Sequence, residues 1–153
     1  MDKDGLQSGS GRQSIELIYG HDLAVSQWVA EQLGCTGFGD CLSIGICRDG
    51  ALIGGVVYNN ARTNSDGMVY TLEMSIATVD KSWCNRRILR ALFDLPFNVL
   101  QCRRITVLVD AGNEQVRRFD ERLGFIHEGT LKEGHPDDDC AIYRMLRDEC
   151  KWI

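Results

Sequence analysis

The sequence predicts a single α/β domain: one mixed, mostly antiparallel sheet of six or seven strands, with helices on both faces. Three observations carry that expectation. Apolar runs of strand character and stretches of helical spacing follow one another in the order β, α, β, β, β, α, β, α, β, β, without internal repeats. Asp49-Gly50 joins two apolar runs as a two-residue hairpin turn. A long helical stretch, Ser82 to Leu100, separates the strand candidates Met68 to Thr78 and Ile105 to Val109, and parallel neighbours need a crossover of that kind. A chain of 153 residues suits one core, burying roughly 70% of the surface its unfolded form exposes.

Taken in order, Met1 to Gln13 is polar and rich in Gly and Ser, too poor in apolar groups to offset the entropy of ordering. A flexible tail over 1–13 and a domain over 14–153 are expected, with a protein partner as a means of ordering the tail. Ile15 to Tyr19 is a short strand candidate. Leu23 to Leu33 reads as a helix with Asp22 as N-cap, Trp28 and Leu33 facing inward and Gly34 as the stop. Cys41 to Arg48 and Ala51 to Tyr58 should pair across Asp49-Gly50, Asn59 to Gly67 is a polar turn region, and Met68 to Thr78 completes the meander. Ser82 caps the next helix, whose Ile88, Leu92, Leu95 and Val99 share a face and whose Pro96 should kink or split it. Ile105 to Val109 is nearly continuously apolar, as in a strand covered on both sides. Asn113 caps a helix to Leu123 that ends on Gly124, and Phe125 to Leu131 and Cys140 to Leu146 are the last strands, around an acidic loop at Asp137, Asp138 and Asp139.

Composition narrows the function classes. The net charge of -5 argues against general nucleic-acid binding. Its distribution is uneven: Arg86 to Arg122 holds eight arginines against five acids, whereas Met1 to Gly50 holds three basic residues against seven acids. A local basic surface on an acidic protein suits a compact polyanion such as a nucleotide cofactor. No apolar run approaches the ~20 residues of a membrane span, and the opening is not that of a signal peptide, so a cytoplasmic location without membrane contact is expected. Seven cysteines with no C-x-x-C spacing read as reduced thiols, and His21, His127 and His135 have no metal-ligand spacing.

Two segments bring in a family. Asn113 to Gly129 (NEQVRRFDERLGFIHEG) resembles the signature of the GNAT superfamily, the acyl-CoA-dependent N-acyltransferases, in which an asparagine opens a helix that closes on Leu-Gly-Phe before a strand with an acidic-Gly pair. Glu73 to Trp83 (EMSIATVDKSW) is similar to the central strand of that family and the entry to its pyrophosphate loop. The similarity extends over roughly Leu42 to Leu146 and is nearest the ribosomal-protein-type, Rim-like branch. The ending Glu149-Cys150-Lys151-Trp152 also resembles small GNAT-fold proteins of tailed phages, which adds the virion to the expected locations.

The resemblance implies a GNAT fold with splayed central strands, acetyl-CoA as co-substrate and an amine as acceptor. Ile76, Ala77, Thr78 and Val79 match the strand whose backbone N–H groups bond the thioester carbonyl. Trp83, Arg86, Arg87 and Ile88 fall on the pyrophosphate loop, where the family keeps two glycines; here Arg86 and Ile88 stand in their places. The arginines either fill the anion site or grip phosphates bidentately, and β-branched Ile88 removes space beside the backbone. Trp83 is read as packing, with ring stacking as the functional alternative. Asn113 matches a CoA-contacting asparagine, a position its capping role also explains, and Val116 lacks the hydroxyl often found there. Glu73 matches the base that deprotonates the amine, and alternation places it opposite Leu72 and Met74; a solvated strand glutamate is the plain alternative. Tyr143 is the candidate general acid, against core packing. The acidic loop could attract a cationic amine. A non-catalytic GNAT-fold assembly protein, phage-encoded and with a degenerate CoA site, is the competing reading.

Overall fold

The computed structural model describes residues 14–153, so the expectations for the tail over 1–13 lie outside the described residues. Seven strands form one sheet: β1 (Glu16–Ile18), β2 (Cys41–Arg48), β3 (Ala51–Thr63), β4 (Val69–Thr78), β5 (Arg104–Asp110), β6 (Ile126–His135) and β7 (Asp138–Leu146). Their spatial order is β1-β2-β3-β4-β5-β7-β6, and every pairing is antiparallel except β4 with β5. The three helices are α1 (Asp22–Leu33), α2 (Arg86–Asp94) and α3 (Glu114–Leu123). No helix among the described residues is long and apolar enough to cross a membrane.

Strand alternation decides which helix each face receives. On β4, Leu72 and Met74 enter a core with Ile88, Leu92 and Phe93 of α2, Leu123 of α3, and Ile105, Tyr143 and Met145 of the neighbouring strands. Each large apolar side chain buried there contributes roughly 1.5–3 kcal/mol. The opposite face carries α1, whose Val25 and Val29 pack with Val57 and Ala77. Gly55 permits that approach, since a Cβ there would stand 2.6 Å from Cγ2 of Val29. Buried Tyr58 joins sheet to helix by donating its hydroxyl to the Leu92 carbonyl at 2.6 Å.

Several local expectations are corrected by tertiary partners. Asp22 is the first residue of α1 rather than its cap, because its Oδ1 accepts the N–H and Oγ–H of Ser43 at 2.7 and 2.8 Å, leaving His21 at the cap position without a side-chain bond. Leu33 is 48% exposed because the last turn of α1 overhangs a cleft instead of the core. Strand β3 continues to Thr63 through a bulge where Asn60 takes φ 50°, shortening the predicted turn region.

The single helix from Ser82 resolves into three pieces. Asp80 caps a 3-10 turn over Lys81–Trp83, and Asn85 caps α2 by accepting the Ile88 N–H at 3.0 Å. A π turn over Leu95–Val99 follows. Pro96 supplies no N–H, so the backbone widens until the Leu100 N–H bonds to the Leu95 carbonyl at 3.0 Å. That change of pitch turns Val99 outward, 64% exposed, off the face it was predicted to share.

The acidic residues close a hairpin. Asp138 and Asp139 belong to β7; Asp138 accepts the N–H of Gly112, and Asp139 accepts the N–H of Glu133 and the Lys132 ammonium.

Candidate active site

The parallel contact between β4 and β5 is short: Thr71, Leu72 and Glu73 pair with Arg104, Ile105 and Thr106, and beyond them the strands diverge. The edges they bare can be worked out from their outer partners. The Val79 N–H bonds to the Ile53 carbonyl at 2.9 Å, so in the antiparallel register the odd residues of β4 bond β3, and the main-chain groups of Ile76 and Thr78 turn toward β5. The Ala111 N–H bonds to the Asp139 carbonyl at 2.8 Å, so Leu108 turns its main chain toward β4 by the same logic. The split is therefore rimmed by strand amides with no ladder partner.

A cleft of about 760 Å³ opens at this split, in the size range of small-molecule sites. Its walls are Met74 to Val79 of β4, Val107 to Val109 of β5, Trp83 and Cys84 of the crossover, Val116, Phe119 and Asp120 of α3, and the end of α1 at Gln32 and Leu33. Of the predicted residues, Ile76, Ala77, Thr78, Val79 and Trp83 come together here. Trp83 is 2% exposed and tilts against Phe119 with ring centroids 6.2 Å apart, so its indole is part of the packed wall.

Glu73 occupies the last paired position before the strands part. Its side chain lies on the α1 face, opposite Leu72 and Met74 as alternation required, and its Oε2 accepts Nδ2–H of Asn60 at 2.8 Å. The bulge in β3 is what brings Asn60 to it.

The structure places the remaining predicted residues elsewhere. Ile88 is fully buried in the core under α2, so its side chain does not crowd the loop, and its N–H is already bonded by Asn85. Arg87 donates to the Ile15 carbonyl at 2.8 Å, tying α2 to the chain ahead of β1, whereas Arg86 is exposed on the first turn of α2. Asn113 caps α3 by accepting the Val116 N–H at 3.2 Å. Tyr143 is buried beneath α3, where its hydroxyl accepts from Arg117 and donates to Glu121, both at 2.9 Å. Burial pushes its phenol up and the Arg117 bond opposes that; it is not among the residues of the cleft wall.

Sequence reading missed Asp120, Phe119, Arg122 and Cys84 in the wall. Asp120 is 4% exposed, and its Oδ2 is buried without a hydrogen-bond partner. Burial, and then the neighbouring Glu121 charge, push its carboxyl up to about 7. Burial likewise raises the Cys84 thiol, with Arg122 opposing. The available signal was an aspartate on the inward side of an amphipathic helix, one turn before Leu123.

No family model matches the chain, and no curated protein matches it. Solved structures do. A spermidine/spermine N-acetyltransferase from Vibrio cholerae, in mutant forms, superimposes with a TM-score of 0.69 at 14% identity, over 89% of this chain and 96% of that one. A probable acetyltransferase matches with a TM-score of 0.59 at 23% identity, over 72% of this chain and 63% of that one. A ribosomal-protein-S5-alanine acetyltransferase from Vibrio fischeri matches with a TM-score of 0.59 at 19% identity, over 72% of this chain and 64% of that one. The chain thus spans less than two thirds of the length of two of these proteins. The likeness establishes the fold: one mostly antiparallel seven-stranded sheet, split between its central strands, which is the GNAT fold.

Proposed function

We propose that this chain is an N-acetyltransferase that moves the acetyl group of acetyl-CoA to a primary amine by direct attack. The observation that carries the reading is the split between β4 and β5, where unpaired strand amides of Ile76 and Thr78 border a cleft whose wall starts at Met74, the residue after Glu73. Donors fixed before the reaction are suited to a carbonyl oxygen on which charge develops, because they need no reorganisation as it forms. Acetyl-CoA supplies the activated thioester; the chain's own residues do the rest.

The missing loop glycines are compatible with that co-substrate. Ile88 turns into the core, so no β-branched side chain stands over the first turn of α2, and the cleft wall runs through Trp83 and Cys84 to that helix start. Asn85 satisfies the Ile88 N–H, which leaves the main-chain N–H groups of Arg86 and Arg87 as first-turn donors for an anion. The exposed Arg86 guanidinium adds charge-assisted bonds. Arg87 is committed to Ile15, so its contribution is its main chain.

Glu73, held by Asn60, takes the amine proton directly or through a water, and the Ile76 and Thr78 amides hold the carbonyl. The acceptor is a primary amine, in keeping with the structurally similar spermidine/spermine and ribosomal-protein-S5-alanine acetyltransferases. The quoted signature motif supports the Rim-like branch.

Calorimetric titration with acetyl-CoA, followed by an acetyl-transfer screen over polyamines, peptides with free N-termini and aminonucleosides, tests the reading. Saturable binding together with turnover on at least one amine is the expected result. No binding and no turnover would overturn it and leave the assembly reading.

A further inference from the structure

Among the described residues that line the cleft, the ionisable ones are Asp80, Lys81, Cys84, Asp120 and Arg122. Asp120 stands apart, being 4% exposed with an Oδ2 that neither solvent nor any protein donor reaches. A buried carboxylate in that condition is costly, whereas the neutral acid is tolerated and carries an O–H in need of an acceptor. Its surroundings favour the acid: Trp83 and Phe119 are apolar, Met74, Val107 and Val109 on the sheet side bring no charge, and Glu121 beside it is negative. Arg122 and Cys84 also line the cleft, and the arginine acts on the thiol. Tyr143, Arg117 and Glu121 form a separate closed set on the inner side of α3.

Position gives this acid a use. Glu73 lies on the α1 face of the split, whereas Asp120 is on α3, which packs on the opposite face. A group bound between β4 and β5 therefore has Asp120 in the wall on the α3 side, while Glu73 stands at the last strand pair beside the split.

On the strength of the transferase reading, we propose that Asp120, not Tyr143, is the general acid, donating its carboxyl proton to the departing sulfur of the thioester. As the C–N bond forms, Glu73 takes the proton of the attacking amine. As the C–S bond breaks with its electron pair on sulfur, Asp120 gives that sulfur its proton, leaving free thiol and a carboxylate. Once the products leave the open cleft, Glu73 gives its proton to water and water entering the cleft returns one to Asp120, so base and acid are both regenerated with no oxidant or reductant. A carboxylic acid of this kind works only while protonated, and burial holds it so up to about pH 7. Turnover should therefore decline on the alkaline side of neutrality, a limb that a buried phenol would not impose there.

The test compares the parent chain with Asp120→Asn and Asp120→Ala, using acetyl-CoA and whichever amine the screen yields. Expected are unchanged acetyl-CoA affinity by calorimetry, turnover lower by about 10²–10⁴-fold in both variants, and loss of the alkaline limb. Acetyl p-nitrothiophenol, whose leaving thiolate needs no proton, should be used nearly equally by parent and variants. Parental turnover by both variants, or an alkaline limb that survives in them, overturns the assignment while leaving the transferase reading intact. A deficit with the aryl thioester equal to that with acetyl-CoA would show a structural role and also overturn it. No turnover by the parent on any amine removes the transferase reading and this assignment with it.

Discussion

Replacing Asp120 with asparagine should stabilise the protein above neutral pH and change little near pH 4. The side chain is 4% exposed, and its carboxyl is pushed from the ordinary 3.8 up to about 7, chiefly by burial. Between those values the folded protein holds a proton that the unfolded chain has released. Stability from this site is complete below pH 3.8, falls through the window and is lost once pH passes about 7. A gap of about three pH units at about 1.36 kcal/mol each makes the loss about 4 kcal/mol, a large share of a marginal total. Asparagine is neutral throughout and has similar shape, so its stability advantage should grow by up to about that amount from about pH 4 to about pH 8, then level off. Carboxylates with the opposite shift, Glu128 held down by Arg104 and Glu149 by the Leu146 N–H, lose stability toward acid in both proteins and cancel in the difference. Urea unfolding at a series of pH values, followed by tryptophan fluorescence, measures it, because Trp83 packs on Phe119 beside the substituted residue. Parallel stability profiles for the two proteins would refute the claim that Asp120 is a desolvated acid.

Three other outcomes follow from particular contacts. Glu73→Gln keeps the bond from Asn60 in reach while removing basicity, so acetyl-CoA affinity should persist as turnover falls by about 10²–10⁴-fold; full turnover on a verified amine would eliminate Glu73 as base. Arg86→Ala should weaken acetyl-CoA binding by about tenfold or more, whereas Arg87→Ala should leave affinity near the parent's and lower the melting temperature, since its guanidinium bonds the Ile15 carbonyl. Tyr58→Phe strands the Leu92 carbonyl in the core and should cost about 1–3 kcal/mol in denaturant unfolding, with little effect on ligand binding.

Periodicity made the order of elements legible because each strand and helix face is written locally. Cys41 to Arg48 matches its strand to the residue, Gly34 and Gly124 end their helices in the left-handed conformation, and Asn113 is the predicted cap. Departures gathered where a competing partner or a missing backbone donor overrode the simplest local signal. Ser43 claims the Asp22 carboxylate, Asp80 claims Ser82, and the helix splits at Pro96 as expected but through a π turn, which reorients Val99.

At the candidate site the division has the same cause. That Glu73 lies opposite Leu72 and Met74 is legible from the chain, since alternation is a property of one strand, as is the crossover that lets Met68 to Thr78 run parallel to Ile105 to Val109. Where that pairing stops, which main-chain groups it leaves bare, and that Ile88 and Arg87 turn away from the loop are set by contacts between distant elements. Such contacts also set the state of Asp120. An aspartate in a helix is unremarkable in sequence, and its protonation depends on how much water and how many donors reach it, which only the packing of Trp83, Phe119 and the two parted strands against one another sets.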